Sequence, residues 1–308
     1  MGDDTAGHPM SSLKWSRKST YAIRDELEAH AISVCANTIA RLLYELDFSL
    51  KCNRKSIAET QHPDRNQQFE YIAEMKNYFE SRGHPVISVD SKKKELIGNF
   101  HNHGRIWCRD AELVNVHDFR SAATAIATPY GIYDYHHNDG MVVVGTSYDT
   151  PEFAVDSIIW WLKYGGIKHY SKIGDILILC DAGGSNGYRP RAWKYFLQKK
   201  LCDVFQISAT VCHYPIAASK WNPIEHRMFS HISNNWTGKP LRTLETMLNY
   251  IRRTTTDPGL KISARLNKKK YAAGMKIDDT QMSDLNIKRH EVLPQWNYTI
   301  FPTGHTWN

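Results

Sequence analysis

The chain has 308 residues, 42% of them hydrophobic, which is enough for a large packed core and argues against an intrinsically disordered protein. Its formal net charge is +7, and the excess sits almost wholly in residues 238–308, where 12 Lys/Arg face 6 Asp/Glu, a balance suited to a polyanionic partner. The acidic start Met1-Gly2-Asp3-Asp4, the lack of a membrane-length apolar run and six cysteines without a Cys-x-x-Cys pair exclude a secretory signal, a spanning helix and a zinc ribbon, and predict reduced thiols in a cytoplasmic protein.

In chain order, residues 1–18 read as a disordered lead-in. Ile23 and Leu27 repeat at helical spacing, and Ile39, Leu42, Leu43 and Leu46 follow i, i+3, i+4, i+7 on a second, amphipathic helix over residues 37–46. Two short helices with a short link between them fit either a helix-turn-helix or an ordinary helical hairpin. In the first case Asn37, Thr38 and Arg41 would contact DNA, with Lys51, Arg54 and Lys55 just beyond. A third helix over residues 67–81 completes a helical, DNA-binding-like region spanning 19–83.

The character changes at His84-Pro85. Pro85-Val-Ile-Ser-Val-Asp90 reads as a buried strand ending in a carboxylate. Residues 130–135 and 141–147 read as strands joined by the turn His137-Asn-Asp-Gly140. Asp149-Thr-Pro-Glu152 opens a helix to Tyr164, and Asp175–Cys180 is a further strand with Asp181 at its end. A helix over 192–201, a strand over 206–213 and helices over 222–236 and 241–254 follow. The order β-β-β-α-β-α-β-α predicts an α/β fold of the ribonuclease H type, a mixed sheet flanked by helices, with its core in residues 84–237. Residues 238–308 read as a helical, basic segment in which Arg252, Arg253, Lys268, Lys269 and Lys270 are candidate phosphate contacts.

Phosphodiester transfer with paired divalent cations needs several carboxylates converging on one point, and in open α/β sheets such sites lie where strands end. Asp90 and Asp181 occupy that position. The third acid is sought in Ser219-Lys-Trp-Asn-Pro-Ile-Glu225, where Asn222 suits a helix N-cap and Pro223 the first helical position. Asn222 and Glu225 also make sense as a capping pair alone. Asp149 and Glu152 read as caps, with Asp134 an outside candidate for the site. Asp181-Ala-Gly-Gly-Ser-Asn-Gly187 is a glycine-rich strand exit without the Gly-Lys-Ser/Thr of a nucleotide loop. The paired histidines of His101-Asn-His103 and the interior thiol of Cys212-His213 are weaker alternatives.

Several phrases resemble the ISAzo-thirteen family of insertion-sequence transposases, within the DDE/retroviral-integrase superfamily. They are Asn37-Thr-Ile-Ala-Arg-Leu-Leu43, Gln61-His-Pro-Asp-Arg65, Ser88-Val-Asp-Ser-Lys-Lys-Lys-Glu-Leu-Ile-Gly-Asn-Phe100, Val114-Asn-Val-His-Asp-Phe119, Gly183-Gly-Ser-Asn-Gly187, Ser219-Lys-Trp-Asn-Pro-Ile-Glu-His-Arg227 and Trp296-Asn-Tyr-Thr-Ile300. The resemblance implies a ribonuclease H-like core behind a helix-turn-helix, and metal-dependent cleavage and strand transfer of DNA. It also implies two Mg2+ or Mn2+ ions held by Asp90, Asp181 and Glu225. The expected partner is double-stranded DNA, both transposon ends and target, bound by a homo-oligomer in a bacterial cytoplasm near the nucleoid; Lys220 joins the expected DNA contacts. Two positions depart from the pattern, Cys35 in place of a capping Ser and Asp47 in place of Gly. A non-catalytic DNA-binding repressor and a ribonuclease H-like nuclease are the alternative functions.

Overall fold

The computed structural model describes the strands at residues 5–7 and 14–16, and residues 18–50 and 62–305. It divides into two units, Met1–Ala58 and Glu59–Asn308. The expected lead-in falls almost entirely outside the described residues, apart from a short antiparallel pair, β1 (Thr5–Gly7) and β2 (Lys14–Ser16). Lys51, Arg54 and Lys55 also lie outside them.

The first unit contains α1 (Thr20–Ala29) and α2 (Ala36–Glu45). The Ser19 hydroxyl caps α1 by accepting from the Ala22 amide at 3.1 Å. Cys35, at the same place before α2, makes no such bond; its Sγ lies 3.2 Å from Thr38 Oγ1. Both helices end in the same loop closure, with Ile32 N–H donating to Leu27 O and Phe48 N–H to Leu43 O, which puts Ala31 and Asp47 at φ of 61° and 62°. That left-handed conformation favours glycine, which has no Cβ to clash with the carbonyl. Ile23 and Ile39 are buried, whereas Leu42 and Leu46 are exposed, so the apolar stripe of α2 is only partly covered.

The second unit opens with α3 (Arg65–Ser81), whose Gln68, Ile72 and Phe79 are buried at helical spacing. It ends in that closure too, with Gly83 at the left-handed position. Next come β3 (Val86–Ser91), β4 (Glu95–Ile97), β5 (Ala125–Asp134), β6 (Asp139–Gly145), α4 (Pro151–Tyr164) and β7 (Asp175–Cys180). A continuous helical run follows, made of α5 (Arg191–Phe196), a π-helical stretch Leu197–Cys202 and α6 (Asp203–Phe205), and leads to β8 (Ser208–His213). A second π-helical stretch, Glu225–Phe229, runs into α7 (Ser230–Asn235), then α8 (Leu244–Arg252), β9 (Lys261–Asn267), α9 (Asp279–Ser283), β10 (Ile287–Arg289) and β11 (Asn297–Ile300).

Nine of these strands form one mixed sheet in the order β10-β11-β8-β7-β3-β5-β6-β9, with β4 on β5. Its centre, β6-β5-β3-β7-β8, is the ribonuclease H arrangement: an antiparallel meander β3-β5-β6, then β7 and β8 parallel to β3. Alternation along each strand sends Ile87, Val89, Ile176 and Ile178 to one face, where they pack with Phe153, Ile158 and Trp161 of α4 and the Leu197–Leu201 turn. The other face carries Val86, Leu177 and Leu179 under α3, and Tyr133, Val142 and Val144 under Met228, Phe229 and α8. Helices thus cover both sides, as strongly apolar central strands require.

The C-terminal segment, expected to be helical, also supplies β9, β10 and β11, and so builds both outer edges of the sheet. In β9 Ile262, Ala264 and Leu266 alternate with polar residues, and this period of two outweighs the surrounding lysines. Likewise α3 packs in the second unit, against β3 and β7, rather than grouping with α1 and α2 as expected. Among the described residues no helix is long and apolar enough to cross a membrane.

Candidate active site

Parallel pairing of β3 with β7 sets Val89 beside Cys180, so the next residues, Asp90 and Asp181, leave neighbouring strands side by side. Both point to the sheet face that carries Val86, Ser88, Leu177 and Leu179, because side chains alternate along a strand. The helical turn with Glu225 lies over that face. Gly131, paired with Asp90 across β5, admits it: a Cβ there would stand 2.6 Å from atoms of Met228 and Phe229. A short π-helical stretch begins at Glu225, a distortion frequent at functional sites.

Burial pushes the Asp90 carboxyl well above the ordinary carboxylate range, and the charge of Asp181 adds to it. The Ser91 amide, donating at 2.7 Å, pulls the other way, while Glu225 raises it further by charge and by contact. Asp181 is raised chiefly by burial, against the Asn222 amide, which donates to its Oδ1 at 3.0 Å, and with the charge of Glu225 adding to burial. The three acids are therefore electrostatic neighbours, and the leading influences on Asp90 and Asp181 include no cation.

An all-oxygen donor set crowded in this way suits a hard divalent ion, whose charge would relieve the repulsion. Among the described residues no group of three His, Cys, Asp or Glu side chains is arranged to hold a metal ion, so the three acids are electrostatic neighbours without forming a closed metal cage. Asp90 and Asp181 open into a cleft of about 660 Å³, walled by Ala182, Gly183 and Gly184 of the glycine-rich exit, by Tyr188 and Arg189, and by Ile216, Ala217 and Ser219.

The family described as the Rhodopirellula transposase DDE domain matches residues 1–302. The chain belongs to that family. No curated protein matches the sequence. Among solved structures the chain is similar to the Mos1 transposase paired-end complex with left transposon end, at 12% identity over 76% of this chain and 65% of that one, with a TM-score of 0.44. It is also similar to the Mos1 Strand Transfer Complex, at 12% identity over 76% and 64% and a TM-score of 0.45. For the Mos1 mariner paired end complex with Mn the values are 10% identity, 80%, 73% and 0.43. The chain thus spans under two thirds of the first two chains.

Family membership agrees with the resemblance read from the phrases, and the structure places the remaining expected residues as follows. Asp134 pairs with Ile87, at the opposite end of β3 from Asp90, where it accepts from the His136 and His137 amides and the Tyr170 hydroxyl. Glu152 is bound to Lys200 and Lys269, away from the acids. The cap of α4 is Thr150, which accepts from the Phe153 amide, and neither Asp149 nor Glu152 fills that role. Asp149 instead lines a neighbouring cleft of about 800 Å³ with Lys94, Ser185 and Arg191.

Of the expected DNA contacts, Asn37 and Arg41 are exposed on α2, with Arg41 3.8 Å from Glu45. Thr38 is half-buried beside Cys35. Lys220 is exposed and lies over the Trp221 ring. Arg253, Lys268 and Lys270 are exposed. Arg252 is engaged with Ala264 O, Glu245 and Asn249, and Lys269 with Glu152 and Asp156. Burial works against the Lys269 charge, but those two acids raise its pKa.

The weaker alternatives lose ground. His101 and His103 sit ring to edge in a loop, and Cys212 is fully buried, with burial pushing its thiol up. Arg189 in the cleft wall and the glycine opposite Asp90 were not singled out by sequence reasoning. A glycine in the middle of a strand, Gly131, was the available signal for close approach of another element.

Proposed function

We propose that the chain is a DDE transposase that cuts and rejoins DNA, with Asp90, Asp181 and Glu225 as its catalytic, metal-holding acids. The observation that carries this reading is the convergence of Asp90 and Asp181, at the ends of β3 and β7, with Glu225 on the helix above them, in a member of a transposase DDE domain family. Bound Mg2+ or Mn2+, two ions held by these acids, would supply Lewis-acid activation of the attacking oxygen and stabilise the leaving one. Asp90 and Asp181 line the cleft, and Glu225 on the helix above acts on both through its charge. Arg189 in the cleft wall would meet the backbone phosphates of a strand crossing the cleft, and exposed Lys220, next in sequence to the lining residue Ser219, would add to them.

In the first step the oxygen of water bonds to phosphorus as the P–O3′ bond breaks, leaving a free 3′-hydroxyl at the element end. In the second, that hydroxyl oxygen bonds to a target phosphorus and displaces the target 3′ oxygen. No covalent protein–DNA intermediate is needed. In the first unit, exposed Asn37 and Arg41 with Thr38 would read element ends from α2.

The test is incubation of the full chain with labelled element-end DNA and a target plasmid in Mg2+ or Mn2+. Nicked ends and joined products are expected, both absent with Asp90→Asn. Nicking without joining would favour the nuclease, and end binding without either product would favour the repressor.

A further inference from the structure

We infer that Asn222 is a positioning residue for the three acids, acting with Ser88 as a buried clip; this rests on the site proposed above. Both side chains are fully buried. The Ser88 hydroxyl donates to Asn222 Oδ1 and accepts from the Ile224 amide at 3.2 Å, and Asn222 Nδ2 donates to Asp181 Oδ1 at 3.0 Å. One small network therefore joins the strand of Asp90, the carboxylate of Asp181 and the first turn of the helix bearing Glu225.

The arrangement exchanges the usual roles. An N-cap asparagine turns its own side-chain oxygen onto the amides of the first turn. Here the strand serine takes the Ile224 amide, and the Glu225 amide bonds the Asn222 backbone carbonyl at 3.1 Å. The Asn222 amide group is thereby released to hold a catalytic acid. Its two ends are not interchangeable, since the carboxylate accepts only from N–H and the serine hydroxyl, already accepting from Ile224, must donate to the carbonyl. Pro223 keeps Asn222 extended, with ψ of 119°, which aims the side chain back at the strands and not along the helix.

Serine and aspartate serve as N-caps as well as asparagine does, so they separate a cap from a clip. Mn2+ affinity of the full chain, read by electron paramagnetic resonance, is compared for wild type, Asn222→Ser and Asp181→Asn, with turnover and DNA affinity measured alongside. Loss of a side chain that orients a ligand typically costs 10–100-fold in metal affinity or activity. Asn222→Ser is expected to bind Mn2+ about 10-fold more weakly and to lose roughly 10–100-fold in turnover, with DNA affinity within about two-fold. If the serine variant fails to fold, Asn222→Asp, of equal size but unable to donate, is expected to lose turnover by the same factor. Mn2+ affinity and turnover within about two-fold of wild type in a folded Asn222→Ser, while Asp181→Asn loses Mn2+, would overturn the clip and leave the site standing. Unaltered Mn2+ binding in Asp181→Asn would overturn the site and the clip together.

Discussion

Gly131 stands opposite Asp90 across the β3–β5 ladder, and the missing Cβ is the space that Met228 and Phe229 occupy. The helix bearing Glu225 rests on the sheet through this contact. Gly131→Ala would lift that helix by several tenths of an ångström or more, costing about 1–3 kcal/mol of stability through overpacking. Turnover is expected to fall by up to roughly 10²-fold, as for misplacement of a catalytic group by about 1 Å. Melting curves and nicking assays on a folded variant check it, and wild-type turnover would show that the helix position is not critical.

Asp90→Asn is expected to abolish cleavage and joining while preserving DNA binding. The folded Asp90 carboxyl has a raised pKa, so above that pKa the metal-free protein carries a cost that is relieved as pH falls through it. Removing the charge is therefore expected to raise the metal-free melting temperature by roughly 2–4 °C. Asp181→Asn removes the same kind of charge but also weakens the charge-assisted bond from Asn222, so its gain is expected to be smaller. A lower melting temperature for Asp90→Asn would show that the acids are not in electrostatic conflict.

His213 bears on acid stability with the opposite sign. Its Nδ1–H donates to Asp181 O at 3.0 Å, leaving Nε2 to accept from the Tyr298 hydroxyl at 3.3 Å. Burial is the main reason its pKa falls to about 3. Between about 6.5 and about 3 the unfolded chain binds a proton that the folded one does not, so this residue lowers stability as pH falls, by about 1.4 kcal/mol per pH unit. Urea unfolding from pH 7 to 4.5 is expected to show a shallower loss in His213→Gln than in wild type. Parallel curves would rule the histidine out.

The lysine run in the C-terminal segment divides by partner. Lys268→Ala and Lys270→Ala are each expected to reduce the salt slope of non-specific DNA binding by about one. Lys269→Ala, which strips Glu152 and Asp156 of a cation, is expected to lower the melting temperature with little change in slope. Equal slopes for all three would show that the intramolecular pairs yield to DNA.

Asp47→Gly should relieve the left-handed backbone at the end of α2 and stabilise it by about 0.5–1 kcal/mol. Cys35→Ser supplies the missing cap, worth about 1 kcal/mol. Amide exchange in α2 should slow by several-fold in each variant; faster exchange would refute the assignment.

The central sheet and the two strand-borne acids were legible because Val86–Val89 and Ile176–Cys180 are short apolar runs ending at a carboxylate. The role of Asn222 was not, since its partners Ser88 and Asp181 lie 134 and 41 residues away and nothing local distinguishes it from a cap. Thr150 and Asp149 compete for one cap position, and only the observed bond to Phe153 decides between them. The outer strands β9, β10 and β11 were hidden by charge and brevity, their place in the sheet being a property of partners distant in sequence.

The amides of Gln68 and Asn297 bond each other reciprocally at 2.8 and 2.7 Å, and Gln68 also donates to His213 O. The opening helix of the second unit, the strand beside Asp181 and the final strand are thus closed into one buried knot across 229 positions of chain. A chain ending just ahead of Asn297 would still carry Asp90, Asp181 and Glu225, yet Gln68 Oε1 and the edge of β8 would lose their partners. The integrity of this fold therefore depends on the chain through Ile300 and not only on the strands and helix that carry the three acids.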